Sequence, residues 1–162
     1  MVSDKIRRGS ILFAALMIAA AALPVQAQPA EHVSATVIPK NQLVQPVELA
    51  RLLEGPAAGM PLVFQVGSRT LFDEGHIPGA KYAGPASTKA GLDSLRGQVA
   101  ALPRGRAIVL YCGCCPWDHC PNIAPAWELL HSMGFTNVRA LYLANDFGTD
   151  WVNRGYHVET AP

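Results

Sequence analysis

Apolar residues fall along this chain in two kinds of block: short, mostly apolar runs, and longer stretches with helical spacing. The short runs cover residues 61–66, 107–111 and 138–143. Apolar runs of about four to eight residues, bounded by turn residues, read as buried strands. The clearest is Ala107-Ile108-Val109-Leu110-Tyr111, whose lack of alternation suits burial on both faces, as in a parallel sheet. Residues 46–53 carry Val47, Leu49, Ala50, Leu52 and Leu53 behind a proline at the first helical position, with Gly55 to close the helix. Residues 88–102 space Leu92, Leu95, Val99 and Leu102 along one helical face. Residues 122–133 predict another helix, with Asn122 as its N-cap and Gly134 after its end. A short strand is predicted at Ala35-Thr36-Val37-Ile38, and a loop over residues 67–80. A loop with a short helix follows over residues 146–154, before Gly155-Tyr156-His157-Val158 ends the pattern. Strand and helix alternate, which predicts an α/β fold with a mostly parallel sheet and helices on both faces.

The first 27 residues follow a different rule. A short positive segment with Lys5, Arg7 and Arg8 precedes an uncharged apolar run over residues 11–23, and Pro24 ends that run. Val25-Gln26-Ala27 then offers small or aliphatic side chains where a signal peptidase reads. The pattern predicts a cleaved signal peptide, residues 1–27. The run is shorter than the roughly 20 residues a membrane span needs, so no span is expected after cleavage. The protein is therefore expected in the periplasm or secreted. Residues 28–45 read as an entry segment and 46–160 as one compact domain.

Charge narrows the classes further. Thirteen Lys and Arg against twelve Asp and Glu give a net charge of +1, and removal of the leader makes it −1. Nucleic-acid binding driven by bulk positive charge is excluded, because counterion release needs a clustered basic excess. So is a charge-rich disordered chain, with 15% charged and 50% hydrophobic residues.

The chemistry is concentrated in one loop. All four cysteines, Cys112, Cys114, Cys115 and Cys120, fall within nine positions directly after the 107–111 strand. Bridges that staple a fold join distant segments, so these do not form a disulfide framework. Reactive groups in open α/β sheets collect at the carboxyl ends of strands. Loop amides there, and the positive end of the following helix, are expected to stabilise a thiolate and make it a nucleophile.

These residues resemble the rhodanese-like domain family. Phe72-Asp73-Glu74-Gly75-His76-Ile77-Pro78-Gly79-Ala80 matches its motif, and Val109-Leu110-Tyr111-Cys112, Met133-Gly134-Phe135, the 138–143 strand, Trp151 and Gly155-Tyr156 follow in order. The resemblance covers residues 46–160 and implies a small domain with a five-stranded, mostly parallel sheet. It implies that Cys112 carries a persulfide, taking sulfane sulfur from a small donor such as thiosulfate and passing it to a thiol acceptor. A periplasmic thiol-redox protein is one such partner. No metal or organic cofactor is implied. His76, Pro78 and Gly79 are expected to be structural, with His76 orienting the turn before Pro78.

The loop also departs from the family. Cys112-Gly113-Cys114-Cys115-Pro116-Trp117-Asp118-His119-Cys120-Pro121-Asn122 holds no arginine, and it places Gly134 22 positions after Cys112. Phosphatase or arsenate-reductase chemistry, which needs an arginine to hold the oxyanion, is disfavoured. Gln65-Val66-Gly67 stands where the family has an acid and a base, which predicts weaker hydrogen bonding around the loop. Cys112 and Cys115 form a Cys-x-x-Cys pair, the spacing of thiol–disulfide exchange, with Cys115 as the resolving thiol. Cys120 is a candidate for a bridge across the loop, with Cys114 as its favoured mate. Gly113, Cys114, Trp117, Asp118, His119, Cys120 and Asn122 are the candidate substrate or anion loop. His119 has two readings: when protonated it lowers a neighbouring thiol's pKa, or it is merely exposed. Three other readings stay open: a redox protein using Cys112 and Cys115, a Cu(I)-binding module using Cys112, Cys114, Cys115 and Cys120, and a non-catalytic binding domain of the same fold.

Overall fold

The computed structural model describes residues 37–161. The expected signal peptide lies outside the described residues, as do Ala35 and Thr36. No helix among the described residues is long and apolar enough to cross a membrane.

Five strands, Leu43–Val44 (β1), Leu62–Gln65 (β2), Lys81–Tyr82 (β3), Ile108–Tyr111 (β4) and Val138–Leu141 (β5), form one sheet in the order β1-β5-β4-β2-β3. Every pairing in it is parallel. The central strand β4 is buried at all four positions, as its unbroken apolar run predicts. Alternation still operates inside that run. Ile108 and Leu110 join Phe64 and Val138 in one core cluster, while Val109 and Tyr111 join Val63 and Leu141 in the other. Successive side chains of a strand point to opposite faces, so a strand with no polar position feeds two cores.

Helices cover both. Lys89–Val99 (α3) and Ile123–Ser132 (α4) place Leu95, Val99, Ala126 and Leu130 in the first cluster. Pro46–Leu53 (α1) contributes Leu49 to the second, and Trp151 joins it after the short helix Phe147–Asp150 (α5). Trp151 is 1% exposed and its indole N–H donates to the His157 carbonyl at 2.9 Å, so the last turns of the chain are fixed to this face.

Three elements differ from the expectation. No strand includes Val37 or Ile38; the first strand is Leu43–Val44, paired with β5. Ile38 is buried all the same, so its apolar character reflects packing rather than pairing. The 67–80 segment is not all loop, since it contains the helix Arg69–Glu74 (α2). Gly67 and Gly75 bracket only six helical residues, too few to show a period, and Phe72 is the one it buries. Finally, Lys81–Tyr82 adds an edge strand of two residues, too short to carry a pattern.

Candidate active site

Cys112 is the first residue beyond β4, at the carboxyl end of the sheet's central strand, and is 4% exposed. The chain then turns sharply. Gly113 has φ +80°, a left-handed conformation that costs a residue with a Cβ about 1 kcal/mol or more. Its carbonyl accepts the Phe147 N–H at 3.1 Å, and the Trp117 N–H donates to the Ala144 carbonyl at 3.3 Å. The cysteine loop is thus clasped to the segment that follows β5. A 3-10 turn at Trp117–His119 shapes its far side.

The sulfurs converge. Cys112 Sγ and Cys114 Sγ are 3.1 Å apart, and Cys114 Sγ and Cys115 Sγ are 3.2 Å apart. The ligand atoms of Cys112, Cys114 and Cys115 lie within 4.8 Å of one another, and no disulfide is formed. Cys120 is buried and belongs to the same core cluster as Cys112. The two sides of the loop differ. A cleft of about 450 Å³ is lined by Cys112, Cys114, Leu71, Glu74, Asp146 and Phe147, among others. Cys115, Trp117 and Cys120 line a much smaller void below the loop, and Cys112 borders both. Trp117 packs its ring against Tyr142 at 5.3 Å, so it supports the loop from beneath.

The groups that hold Cys112 come from three elements. Asn122 is 5% exposed and makes no cap bond to its own helix. Its amide oxygen instead accepts the Ser87 N–H at 2.9 Å, and its Nδ2 donates to Cys112 Sγ at 3.3 Å. The expected N-cap is therefore a brace for the thiol, because its side chain finds partners in the tertiary structure. Gln65, 1% exposed, donates to the Cys112 carbonyl at 3.1 Å and to the Ser68 carbonyl at 3.3 Å, and accepts the Gly67 N–H at 3.1 Å. Where the family has an acid and a base, one neutral amide supplies the hydrogen bonds at this end of the loop. A Cβ at Gly67 would come 2.8 Å from Cys112 Sγ, so that glycine makes room for the sulfur. Gln65 and Gly67 stand in the sequence as departures from a motif; their role needs the 47-residue contact between β2 and β4 ends.

Charge is distributed unevenly over the sulfurs. Hydrogen bonds from the thiols of Cys112, Cys120 and Cys115 hold Cys114 far below the ordinary thiol range, at about 2, against opposing burial. Cys112 is raised, chiefly because its thiol donates to Cys114, with Cys120 and burial adding to the effect. In Cys115, burial first and then the Cys114 contact raise the thiol. Cys120 is raised on balance: the Cys112 hydrogen bond lowers it, and contact with Cys114 and burial outweigh that. The amides of Asn122 and Ile123 at the start of α4 reach Cys120, where the sequence had assigned loop amides to Cys112. His119 is 76% exposed and pairs with Asp118, with Nδ1 and Oδ1 2.8 Å apart.

One consequence is testable at once. A thiol with a depressed pKa stays ionised until the pH falls through that depressed value. In the reduced protein, iodoacetamide at about pH 5 should therefore alkylate Cys114 while Cys112 stays unmodified, where an ordinary thiol is almost wholly protonated. Peptide mapping after a timed quench checks it; equal labelling of the two would contradict the assigned ionisation.

The His76 motif lies beside the site rather than in it. His76 Nδ1 lies 2.8 Å from the Phe72 carbonyl, and the ring stacks on Phe72 at 4.0 Å. Its backbone exchanges two hydrogen bonds with Glu159, whose carboxylate accepts the Gly79 N–H at 2.9 Å. Gly79 has φ +70°, as the turn after Pro78 requires. The Ile77 N–H donates to the buried Tyr111 hydroxyl at 3.3 Å, tying this turn to the strand that precedes Cys112.

Comparison with known proteins agrees with this geometry. The family profile described as Rhodanese-like domain matches residues 45–143. The crystal structure of the Alr3790 protein from Anabaena is similar with a TM-score of 0.56 and 24% identity, over 73% of this chain and 82% of that one. The solution structure of the rhodanese-like domain of the same Anabaena protein gives 0.55 and 23% identity, over 74% and 80%. Thiosulfate sulfurtransferase from Pseudomonas aeruginosa gives 0.53 and 19% identity, over 74% of this chain but 20% of that much longer one. At these identities the likeness is one of fold. No curated protein matches the sequence.

Proposed function

The chain belongs to the rhodanese-like domain family, and from that premise we propose that it is an exported sulfurtransferase whose Cys112 carries sulfane sulfur as a persulfide. The observation that carries the reading is the place of Cys112: the end of the central strand, on the wall of an open cleft, braced by Asn122 and Gln65. In the loading step the Cys112 thiol passes its proton to the Cys114 thiolate 3.1 Å away, which hands it on to the departing sulfur, and the Cys112 sulfur attacks the outer sulfur of a donor R–S–SH. A new S–S bond forms, the donor's own S–S bond breaks, and R–S⁻ leaves with the electron pair. Cys112–S–SH then gives its sulfur up to a thiol. None of these steps requires a metal or an organic cofactor. Export rests on the leader-like residues 1–27.

The cleft also favours one kind of donor. Glu74 and Asp146 line it, and the described residues lining it include no lysine, arginine or histidine. A dianion such as thiosulfate meets two carboxylates with nothing to offset them, so a donor with at most one negative charge, such as an alkyl persulfide, fits better. Intact mass spectrometry tests both points. A cyanide-releasable gain of about 32 Da, one sulfur atom, should form faster from the alkyl persulfide than from thiosulfate, by roughly tenfold at low salt. The gap should narrow near 1 M salt, where the screening length is only about 3 Å. Absence of both any such adduct and any released sulfide would overturn the reading.

A second reading draws on the three convergent sulfurs: a site for a thiophilic ion such as Cu(I). Native mass spectrometry after Cu(I) addition distinguishes it, by a metal-sized mass gain lost on denaturation.

A further inference from the structure

We propose that Cys114 discharges the persulfide on Cys112, so that the protein releases hydrosulfide and is returned to its starting state by a dithiol. The inference rests on the reading of Cys112 as the persulfide carrier and replaces the Cys-x-x-Cys logic of the sequence with a Cys-Gly-Cys one. The geometry of the loop carries it. Gly113, at φ +80°, folds the chain back so that the sulfurs on either side of it stand 3.1 Å apart. That bend is clamped: a Cβ on Gly113 would sit 2.7 Å from Phe147 Cβ, and the Phe147 N–H binds the Gly113 carbonyl. Cys114 lines the cleft of about 450 Å³ from which Cys112 is loaded, whereas Cys115 does not; with Trp117 and Cys120 it lines a separate void of only about 10 Å³, too small for a donor. A sulfur delivered from the cleft therefore finds Cys114 beside it and Cys115 behind it. The sulfurs of Cys112 and Cys114 need approach by only about 1 Å to bond. The Cys114 side chain is exposed.

The chemistry balances. The Cys114 thiolate attacks the inner sulfur of Cys112–S–SH; the Cys112–Cys114 disulfide forms, the persulfide S–S bond breaks, and HS⁻ leaves with the electron pair. An external dithiol then attacks the exposed Cys114 sulfur. Cys112 leaves as thiolate and takes up a proton, and the second thiol of the reductant displaces Cys114 from the mixed disulfide. Over one cycle R–S–SH and a dithiol become R–SH, H₂S and the oxidised reductant. Sulfane sulfur is reduced and the dithiol is oxidised.

The test is a single turnover of the reduced full chain with one equivalent of alkyl persulfide and no other thiol. The wild type should release about one equivalent of sulfide and acquire a disulfide that peptide mapping assigns to Cys112 and Cys114. Cys114→Ser should instead keep the persulfide on Cys112 and slow sulfide release at least about tenfold, until dithiothreitol is added. Undiminished release by Cys114→Ser, or a wild-type disulfide that maps to Cys115 or Cys120, would overturn the proposal. The underlying reading fails differently: neither protein then carries or has carried sulfur on Cys112, and no sulfide appears from either.

Discussion

Cys112→Ser is expected to lower sulfur transfer by roughly a thousandfold or more while leaving the fold intact. The loss follows from the nucleophile itself, since a serine hydroxyl is not ionised at neutral pH and has little affinity for sulfane sulfur. The retention of fold follows from the surroundings. Asn122 Nδ2, which donates to the sulfur at 3.3 Å, can donate to a hydroxyl in the same place. Gly67 keeps open the space beside it. A buried hydroxyl with one partner costs about 1 kcal/mol, and no cavity larger than the difference between sulfur and oxygen is made. The measurement pairs the rate of sulfide or thiocyanate production with a thermal melt. A residual rate above about a tenth of wild type, with an unchanged melt, would move the primary sulfur carrier to another cysteine.

Cys112 is held by neutral side chains from distant parts of the chain, Asn122 and Gln65, and that is where sequence reading stops. The strands Ile108–Tyr111 and Val138–Leu141 and the helix Ile123–Ser132 were legible, because each is long or apolar enough to show its pattern locally. So was the position of Cys112, which the run of β4 fixes. The helix Arg69–Glu74 was not, being six residues between glycines. Asn122 shows the deeper limit. Its place before an apolar run is that of an N-cap, and nothing nearby says that Ser87, 35 positions away, will claim its oxygen. Gln65 is a similar case: a polar residue at a strand end reads as a lost acid until β4 brings the Cys112 carbonyl within 3.1 Å. Local pattern predicts backbone elements, whereas long-range side-chain hydrogen bonds are set by which ends the sheet order brings together.

The same dependence of the site on distant backbone makes Gly91→Ala the substitution with the largest expected effect on stability. Gly91 lies in the first turn of α3 and is buried. A Cβ there would stand 2.1 Å from the Pro85 carbonyl oxygen and 2.5 Å from its carbon, both backbone atoms. That oxygen is not free to move, because it accepts the Thr88 N–H at 3.0 Å and the Thr88 hydroxyl at 2.8 Å. The Thr88 Oγ1 in turn caps the helix by accepting the Gly91 N–H at 3.1 Å. The turn would have to shift as a unit, breaking the cap and straining the Ala86 N–H bond to Val66. Overpacking against backbone costs up to about 3 kcal/mol or more, which corresponds to a fall of roughly 10 °C or more in Tm. The shift also reaches the site. Ser87 lies on that turn, and its N–H holds Asn122, which holds Cys112. Thiol labelling of Cys112 in the folded variant should therefore quicken. Gly97→Ala on the same helix is the control. Gly97 is exposed, and a Cβ there meets nothing within 4 Å. It should stabilise by about 0.5–1 kcal/mol through helix propensity alone. Opposite signs from one substitution at two positions of one helix would locate the effect in the contact with Pro85; equal signs would remove the tight turn from the account of how Cys112 is held.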